Sequence, residues 1–282
     1  MISEQLSRTA LMAAAARAAH RLVDHPPLIL DDPLAAHLLA ERAAELIAYH
    51  QKHGGHLVLS SARAQVTVRA RYTEDRLAEA VARGVEQYVL LGAGLDSFAY
   101  RSPLAEEVRV FEVDHPATQE YKRSVLSGIA PRGSVTHIPV DFEIDSLRSG
   151  LVDGGFDPAR PALVGWHGVL MYLDLAAIEE VLAVVGRFAP GTELVADHML
   201  PEGERDADGD AYVAGVAPVS AEGGEPWLTF LSTEEMAGLL ARHGFEQVRA
   251  VGQRAAVPDA LWRRTDSLRP RRLSMLVHAV VS

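Results

Sequence analysis

Four short segments place reactive side chains at intervals that suit a nucleoside ligand. The first, Leu91-Gly92-Ala93-Gly94-Leu95-Asp96-Ser97, is a Gly-x-Gly turn that carries a carboxylate. The second is Phe111-Glu112-Val113-Asp114-His115-Pro116, in which Asp114 stands 22 residues after Gly92. At that spacing, on the end of the next strand, a carboxylate can accept both hydroxyls of a ribose. Third, Pro139-Val140-Asp141-Phe142 offers a carboxylate to an adenine amino group and the Phe142 N–H to its ring. The fourth, Gly165-Trp166-His167-Gly168-Val169-Leu170-Met171-Tyr172-Leu173, brings an imidazole and a phenol to a further strand end. A Gly-x-Gly turn alone is only a tight exit that needs positive φ; the ordered series is far more specific.

Such residues need strands to carry them. Tyr88 to Leu91 is a short apolar run that reads as a buried strand. Further strands are expected over 108–113, 135–140, 162–166, 193–196, 247–251 and 273–281. Helices are expected over 116–129, 174–188 and from the Ser232/Glu235 capping box to His243-Gly244. Three helices precede them: one capped by Ser7 and running to about Val23, one from Asp31 or Asp32 to about His50, and one from Ser60 or Ser61 to a stop at Gly84. Residues 201–227, rich in Gly, Asp, Glu and Pro, read as a long lid loop. The alternation predicts an α/β, Rossmann-like, mostly parallel seven-stranded sheet with ligands at its carboxyl edge. One domain, 1–282, would then comprise a helical cap (1–85), a ligand-binding half (86–200), a lid (201–231) and a closing helix with strands (232–282).

Composition narrows the function. A net charge of −11 disfavours nucleic acid and anionic membranes, which require basic patches. With 48% hydrophobic residues the chain can bury a sizeable core, and the absence of Cys excludes disulfides, thiolate metal sites and a cysteine nucleophile. No 18-residue apolar run occurs, so a cytoplasmic protein is expected. No metal site is expected either: Asp206 to Asp210 lacks the bidentate Glu of a calcium loop and reads as a solvated lid tip. His53-Gly-Gly-His56 lacks a third ligand. The arginines from Arg263 to Arg272 read as a solvated or ion-paired face, and no Gly-x-Ser-x-Gly elbow or phosphate loop is present.

The turn decides between ligands. It reads Gly-x-Gly-x-x-Ser, without the third glycine of the dinucleotide fingerprint, and Asp96 would face a pyrophosphate with like charge. A carboxylate there suits S-adenosyl-L-methionine, which carries a sulfonium and an ammonium. Residues 88–101 (YVLLGAGLDSFAYR), 110–123 (VFEVDHPATQEYKR), 139–143 and 166–173 resemble the leucine carboxyl methyltransferase family. They resemble in particular its actinobacterial branch, with O-methyltransferases acting on polyketides. The resemblance extends from the Arg8-Thr9-Ala10 helix and Asp31-Asp32-Pro33-Leu34 to the last strand. It implies a class I methyltransferase in which Arg69 pairs with the donor's carboxylate. Gly92, Ala93 and Gly94 would admit its methionine moiety, Asp114 hold the ribose, and Asp141 with Phe142 hold adenine. Arg17 is the nearest candidate for a second basic contact.

The family's Glu at the fourth strand end is His167 here. The change removes a carboxylate that would balance the donor's ammonium and places an imidazole near the methyl-transfer face. A carboxylic acid acceptor needs no base, whereas a phenol does. For the latter His167 is the first candidate and His198 the second; Tyr172 could hydrogen-bond the acceptor, and His115 would turn outward. The expected function is O-methylation of a carboxylate or hydroxyl on a small, polyketide-like secondary metabolite. The rivals are an NAD(P)-dependent oxidoreductase and a donor-binding regulator without turnover.

Overall fold

The computed structural model describes residues 7–142 and 145–282. Glu143, within the 139–143 segment, and the first six residues lie outside them. Four helices come first: α1 (Arg8–Val23), α2 (Ala35–Leu38), α3 (Ala43–His53) and α4 (Leu57–Ala82). Ser7 caps α1 by accepting the Ala10 N–H at 3.0 Å. The alanine face of α1, with Ala14, Ala15, Ala18 and Ala19 buried, lets it pack closely on α3 and α4.

Two boundaries among these first helices differ from the sequence reading. Asp32 does start a helix, accepting the Leu34 and Ala35 N–H groups at 3.1 and 3.0 Å. That helix is not continuous to His50, because Ala40 adopts a left-handed φ of 48° and splits it into α2 and α3. Helix α4 begins before Ser60, at Leu57, where the His56 side chain accepts the Val58 N–H.

The sheet follows, with β1 (Gln87–Leu91), α5 (Phe98–Arg101), β2 (Arg109–Asp114), α6 (Pro116–Val125), β3 (Ser134–Pro139), α7 (Leu147–Asp153) and β4 (Leu163–Trp166). It continues through α8 (Leu175–Val185), β5 (Glu193–Met199), α9 (Ala207–Glu222), α10 (Thr233–Arg242), β6 (Phe245–Gly252), α11 (Gln253–Ala256) and β7 (Ser274–Val281). Strand order is β3-β2-β1-β4-β5-β7-β6, parallel except for β7, which runs antiparallel to both neighbours. The order reverses direction between β1 and β4, the switch point at which open α/β sheets bind ligands. Register aligns the strand ends there: Leu91 pairs with Val113 on one side and Trp166 on the other, and Asp114 pairs with Pro139. One face buries Phe111, Phe156, Trp166 and Phe188; the other buries Tyr88 and Phe98 beneath Leu77 and Ala80 of α4. Among the described residues no helix is long and apolar enough to cross a membrane.

The lid segment is mostly helix rather than loop. Asp206 caps α9 by accepting the Gly209 N–H at 2.7 Å and ties it to Arg272 N at 2.8 Å, so this exposed residue is also a structural cap. Asp208 and Asp210 in the first turn complement the helix dipole. Tyr212 anchors the helix by packing with Met171, Met199 and Leu273. The Gly, Asp and Pro content that suggests a loop is absorbed by the cap, the first turn and Pro218 inside the helix.

Candidate active site

A cavity of about 900 Å³ opens at the carboxyl edge of the sheet, beneath α1, α4 and α9. This is near the top of the range of roughly 300–1,000 Å³ for small-molecule pockets and leaves room for two ligands side by side. At one end the turn after β1 is held hard against its neighbours. Gly92 has φ +64°, and a Cβ there would lie 2.3 Å from Val169 Cγ2, so no other residue fits. The Ala93 N–H donates to Val113 O at 3.0 Å, fastening the turn to β2. Asp114 accepts the Gly94 N–H at 2.5 Å and the His115 N–H at 2.7 Å. Burial raises its carboxyl above the usual carboxylate range, although those two N–H groups oppose the rise. Each oxygen keeps a lone pair for a further donor. Asp96 accepts the Phe98 N–H at 2.6 Å, while Asp141 and Phe142 also line this end. His115 caps α6 from the exposed side, 4.0 Å from Asp141.

The same turn is braced from behind. Arg17 of α1 donates to Leu95 O at 2.5 Å and pairs with Asp32 at 2.9 Å. Arg101 pairs with Glu74 and donates to Ser97 Oγ at 3.0 Å. Burial alone would raise the Asp32 carboxyl, but Arg17 and Arg101 together hold it below its ordinary value. Arg17 also lines the cavity.

The centre is built from three elements. On α4, Gln65, Arg69 and Thr73 recur every four residues and so share one stripe. Asp197 of β5 accepts from Arg69 Nη1 at 3.2 Å and from the Gly168 N–H at 2.6 Å. Gly168 has φ +68°, and the Arg69 guanidinium fills the space a Cβ would need, 2.6 Å away. The Thr73 hydroxyl donates to Arg69 O at 2.9 Å, so its oxygen must accept from His167 Nε2, 2.8 Å distant. His167 is therefore the Nε2–H tautomer, and its lone pair lies on Nδ1, which takes no hydrogen bond among the described residues. Desolvation lowers its pKa to about 4, a larger effect than the opposing pull of Asp197.

The far end is apolar and aromatic, with Tyr172, Tyr212, Trp227, Val216 and Met171. Burial raises both phenols, leaving them as neutral donors. Over the mouth, Glu225 accepts from Ser7 Oγ at 2.7 Å, Thr9 N at 3.1 Å and Thr9 Oγ1 at 3.1 Å, joining α1 to the segment after α9.

Residues 10–186 match the family model described as leucine carboxyl methyltransferase. The chain belongs to the leucine carboxyl methyltransferase family. Among similar curated proteins, a candidate S-adenosyl-L-methionine-dependent methyltransferase from Mycobacterium marinum is 34% identical over 210 residues, covering 70% of this chain and 67% of that one. One from Mycobacteroides abscessus, described in the same words, is 38% identical over 196 residues, 67% of this chain and 63% of that one. In fold, the chain resembles a crystal structure of a DUF574 family protein from Streptomyces avermitilis, with TM-score 0.62, 14% identity and full coverage of both chains. It also resembles a candidate methyltransferase from Thermobifida fusca, with TM-score 0.63, 20% identity and coverage of 100% and 97%.

As a member of this methyltransferase family, the chain takes S-adenosyl-L-methionine as its cofactor, and the residues present fit that group. Asp96, Asp114 and Asp141 line the turn end, which suits a cation and repels a pyrophosphate. Asp114 keeps acceptor capacity for a neutral diol. His167 and Arg69, at the centre, lie between that end and the aromatic one.

The structure gathers Arg69, Gly92, Ala93, Gly94, Asp96, Asp114, Asp141, Phe142, His167 and Tyr172 around the one cavity. It does not bring His198 there. Strand β5 continues past Ala196 to Met199, so the pleat sends Asp197 towards α4 and His198 to the opposite face. His198 is buried, its Nδ1–H donates to Leu231 O at 2.9 Å, and desolvation lowers its pKa; as a catalytic candidate it is withdrawn. Asp197 and Thr73 are the polar residues that sequence reasoning missed. The four-residue spacing of Thr73 from Arg69 is a weak signal in the sequence; for Asp197 there is none, because the strand expected over 193–196 ends three residues before the observed end at Met199.

Proposed function

We propose that the protein transfers the methyl group of S-adenosyl-L-methionine to a carboxylate oxygen of a small molecule. One observation carries this reading: His167, the histidine at the centre of the cavity, is a weak base whose Nε2–H is committed to Thr73. A phenol with pKa near ~10 would give up its proton to a base near 4 only at a cost of about 8 kcal/mol. A carboxylic acid with pKa near ~4 is already ionised at neutral pH and needs no base. The nearby carboxylates are engaged as well, Asp197 by Arg69 and Gly168, Glu225 by Ser7 and Thr9.

The bound donor supplies an electrophilic methyl on a sulfonium; the chain supplies position and a dry setting. Asp114 would hold the ribose, Asp141 with Phe142 the adenine, and Arg69 the donor's carboxylate through the N–H groups it does not spend on Asp197. The Nδ1 lone pair of His167 would accept from the donor's ammonium, where the family's Glu would otherwise sit. At the aromatic end, Tyr172 would donate to the acceptor's second oxygen, and the helix α9 side of the cavity would exclude water.

The test is product chemistry. With methyl-tritiated donor and matched sets of small carboxylic acids and phenols, the label should enter the acids and be released as methanol in alkali. Label that survives alkali would assign a hydroxyl acceptor, and donor binding without transfer to any acceptor would favour the regulatory reading. His167→Asn should keep turnover, with a rate that is flat between about pH 5.5 and 8.5.

A further inference from the structure

We infer that the acceptor is an elongated, mostly apolar molecule with a single polar end, and that its tail leaves the cavity over an apolar rim. For the identity of that polar end the inference rests on the carboxylate reading above. The described residues expose seven large hydrophobic side chains, and three of them, Met12, Val219 and Leu228, line this cavity while remaining open to solvent, as its mouth does. They come from three different segments: Met12 from α1, Val219 from α9 and Leu228 from the stretch after it. Exposed apolar side chains scattered singly are ordinary; three from separate elements around one opening mark a contact surface.

The rim is continuous with the interior. Between it and His167 lie Tyr172, Tyr212, Val216 and Trp227, so an apolar path runs from the reacting centre to the surface. The polar groups along it are mostly donors, the Tyr172 and Tyr212 hydroxyls and the buried Trp227 N–H, while Ser220 Oγ donates to Glu225 O. Glu225 is satisfied by Ser7 and Thr9, and Arg8, also lining the mouth, has no ion-pair partner among the described residues. A short polar acid would leave this path and its rim uncovered. A long apolar acid would cover both while its carboxylate sits beside Tyr172 and His167. A peptide terminus is the poorer fit, because its backbone N–H groups would need acceptors, and Glu225, the carboxylate on this side of the cavity, is already taken by Ser7 and Thr9.

The prediction is read by binding, independently of methyl transfer. The protein is loaded with S-adenosylhomocysteine and titrated calorimetrically with hexanoate, dodecanoate and a five-residue peptide ending in leucine. Each buried methylene favours binding by roughly fourfold, so dodecanoate should bind at least ~10-fold more tightly than hexanoate. In the triple variant Met12→Gln, Val219→Gln, Leu228→Gln that ratio should shrink by at least ~5-fold, with hexanoate affinity and the melting temperature unchanged. These side chains are exposed, so the variant should fold. Affinity independent of chain length, a ratio unaffected by the rim variant, or tighter binding of the peptide than of dodecanoate each overturns the inference. An alkali-stable product would instead overturn the carboxylate reading and leave the length dependence standing.

Discussion

The two ends of the cavity are made differently. At the end proposed for the nucleoside, short turns are clamped by backbone hydrogen bonds and by buried ion pairs reaching back to α1 and α4. At the end proposed for the acceptor, side chains from α9 and the turn after β4 pack together, and the mouth is joined by one carboxylate. A fixed, chemically constant ligand suits the first arrangement and a variable one suits the second. The contrast is breakable: damage to the first end should be costly and general, damage to the second mild and selective.

The largest effect should come from Asp32. It is 1% exposed, pairs with Arg17 and caps α2, so Asp32→Ala leaves the buried Arg17 guanidinium without its counter-ion and the Leu34 and Ala35 N–H groups without the carboxylate that caps them. A loss of about 3–5 kcal/mol is expected in urea unfolding at pH 7, with weaker binding of S-adenosylhomocysteine as the Leu95 turn loosens. Unchanged stability would show that the brace is decorative.

Next is pH. His50, beside the buried Asp24–Arg63 pair under the cap, has its pKa lowered to about 4 by burial first and by Arg63 second. His167 is lowered to the same extent. Both stay neutral in the fold while the unfolded chain takes up protons below about 6.5. Their stabilisation is complete above that pH and is lost as pH falls towards 4, by up to about 3 kcal/mol each. Urea midpoints should therefore begin to fall near pH 6.5, before most carboxylates titrate. His50→Phe should remove part of the slope.

Asp114→Asn tests the nucleoside end directly. The amide keeps the size but loses the charge, and its NH₂ would meet the N–H of either Gly94 or His115. Hydrogen bonds to charged groups contribute about 1.5–3 kcal/mol, so S-adenosylhomocysteine should bind roughly 10–100-fold more weakly in calorimetry. An unaltered dissociation constant would move the ribose elsewhere.

Legibility in the sequence follows the same division. Gly92, Gly94, Asp114 and Asp141 could be read because each belongs to a local strand-exit motif whose chemistry spans a few residues. Asp197 could not, since it lies 128 residues from Arg69 and meets it only through the sheet order, and Thr73 offers no more than its spacing from Arg69. His198 was misassigned by one strand register, because side chains alternate faces and the β5 end was placed three residues short. The helix α9 was hidden for another reason: its acidic first turn and Pro218 carry the composition of a loop, and what makes it a helix is Tyr212 packing on the turn after β4. Of the aromatic end only Met171 and Tyr172 belong to a readable motif, because apolar walls are recognised by shape.

The smallest effect concerns the mouth. Glu225 caps the start of α1 from outside that helix, accepting from Ser7 and Thr9, and its charge complements the helix N-terminus. Glu225→Gln keeps one acceptor oxygen, so the cost should be about 0.5–1 kcal/mol, most of it local. Hydrogen exchange should quicken in the first turn of α1 and in the last turn of α9, while the amides of β1 and β2 keep their protection. Binding of S-adenosylhomocysteine should change by less than ~2-fold, since the turn after β1 is fastened through Arg17 and Val113 and not through Glu225. A tenfold loss of affinity would mean that α1 transmits strain from the mouth to Leu95, and the two ends would then have to be treated as one cooperative unit.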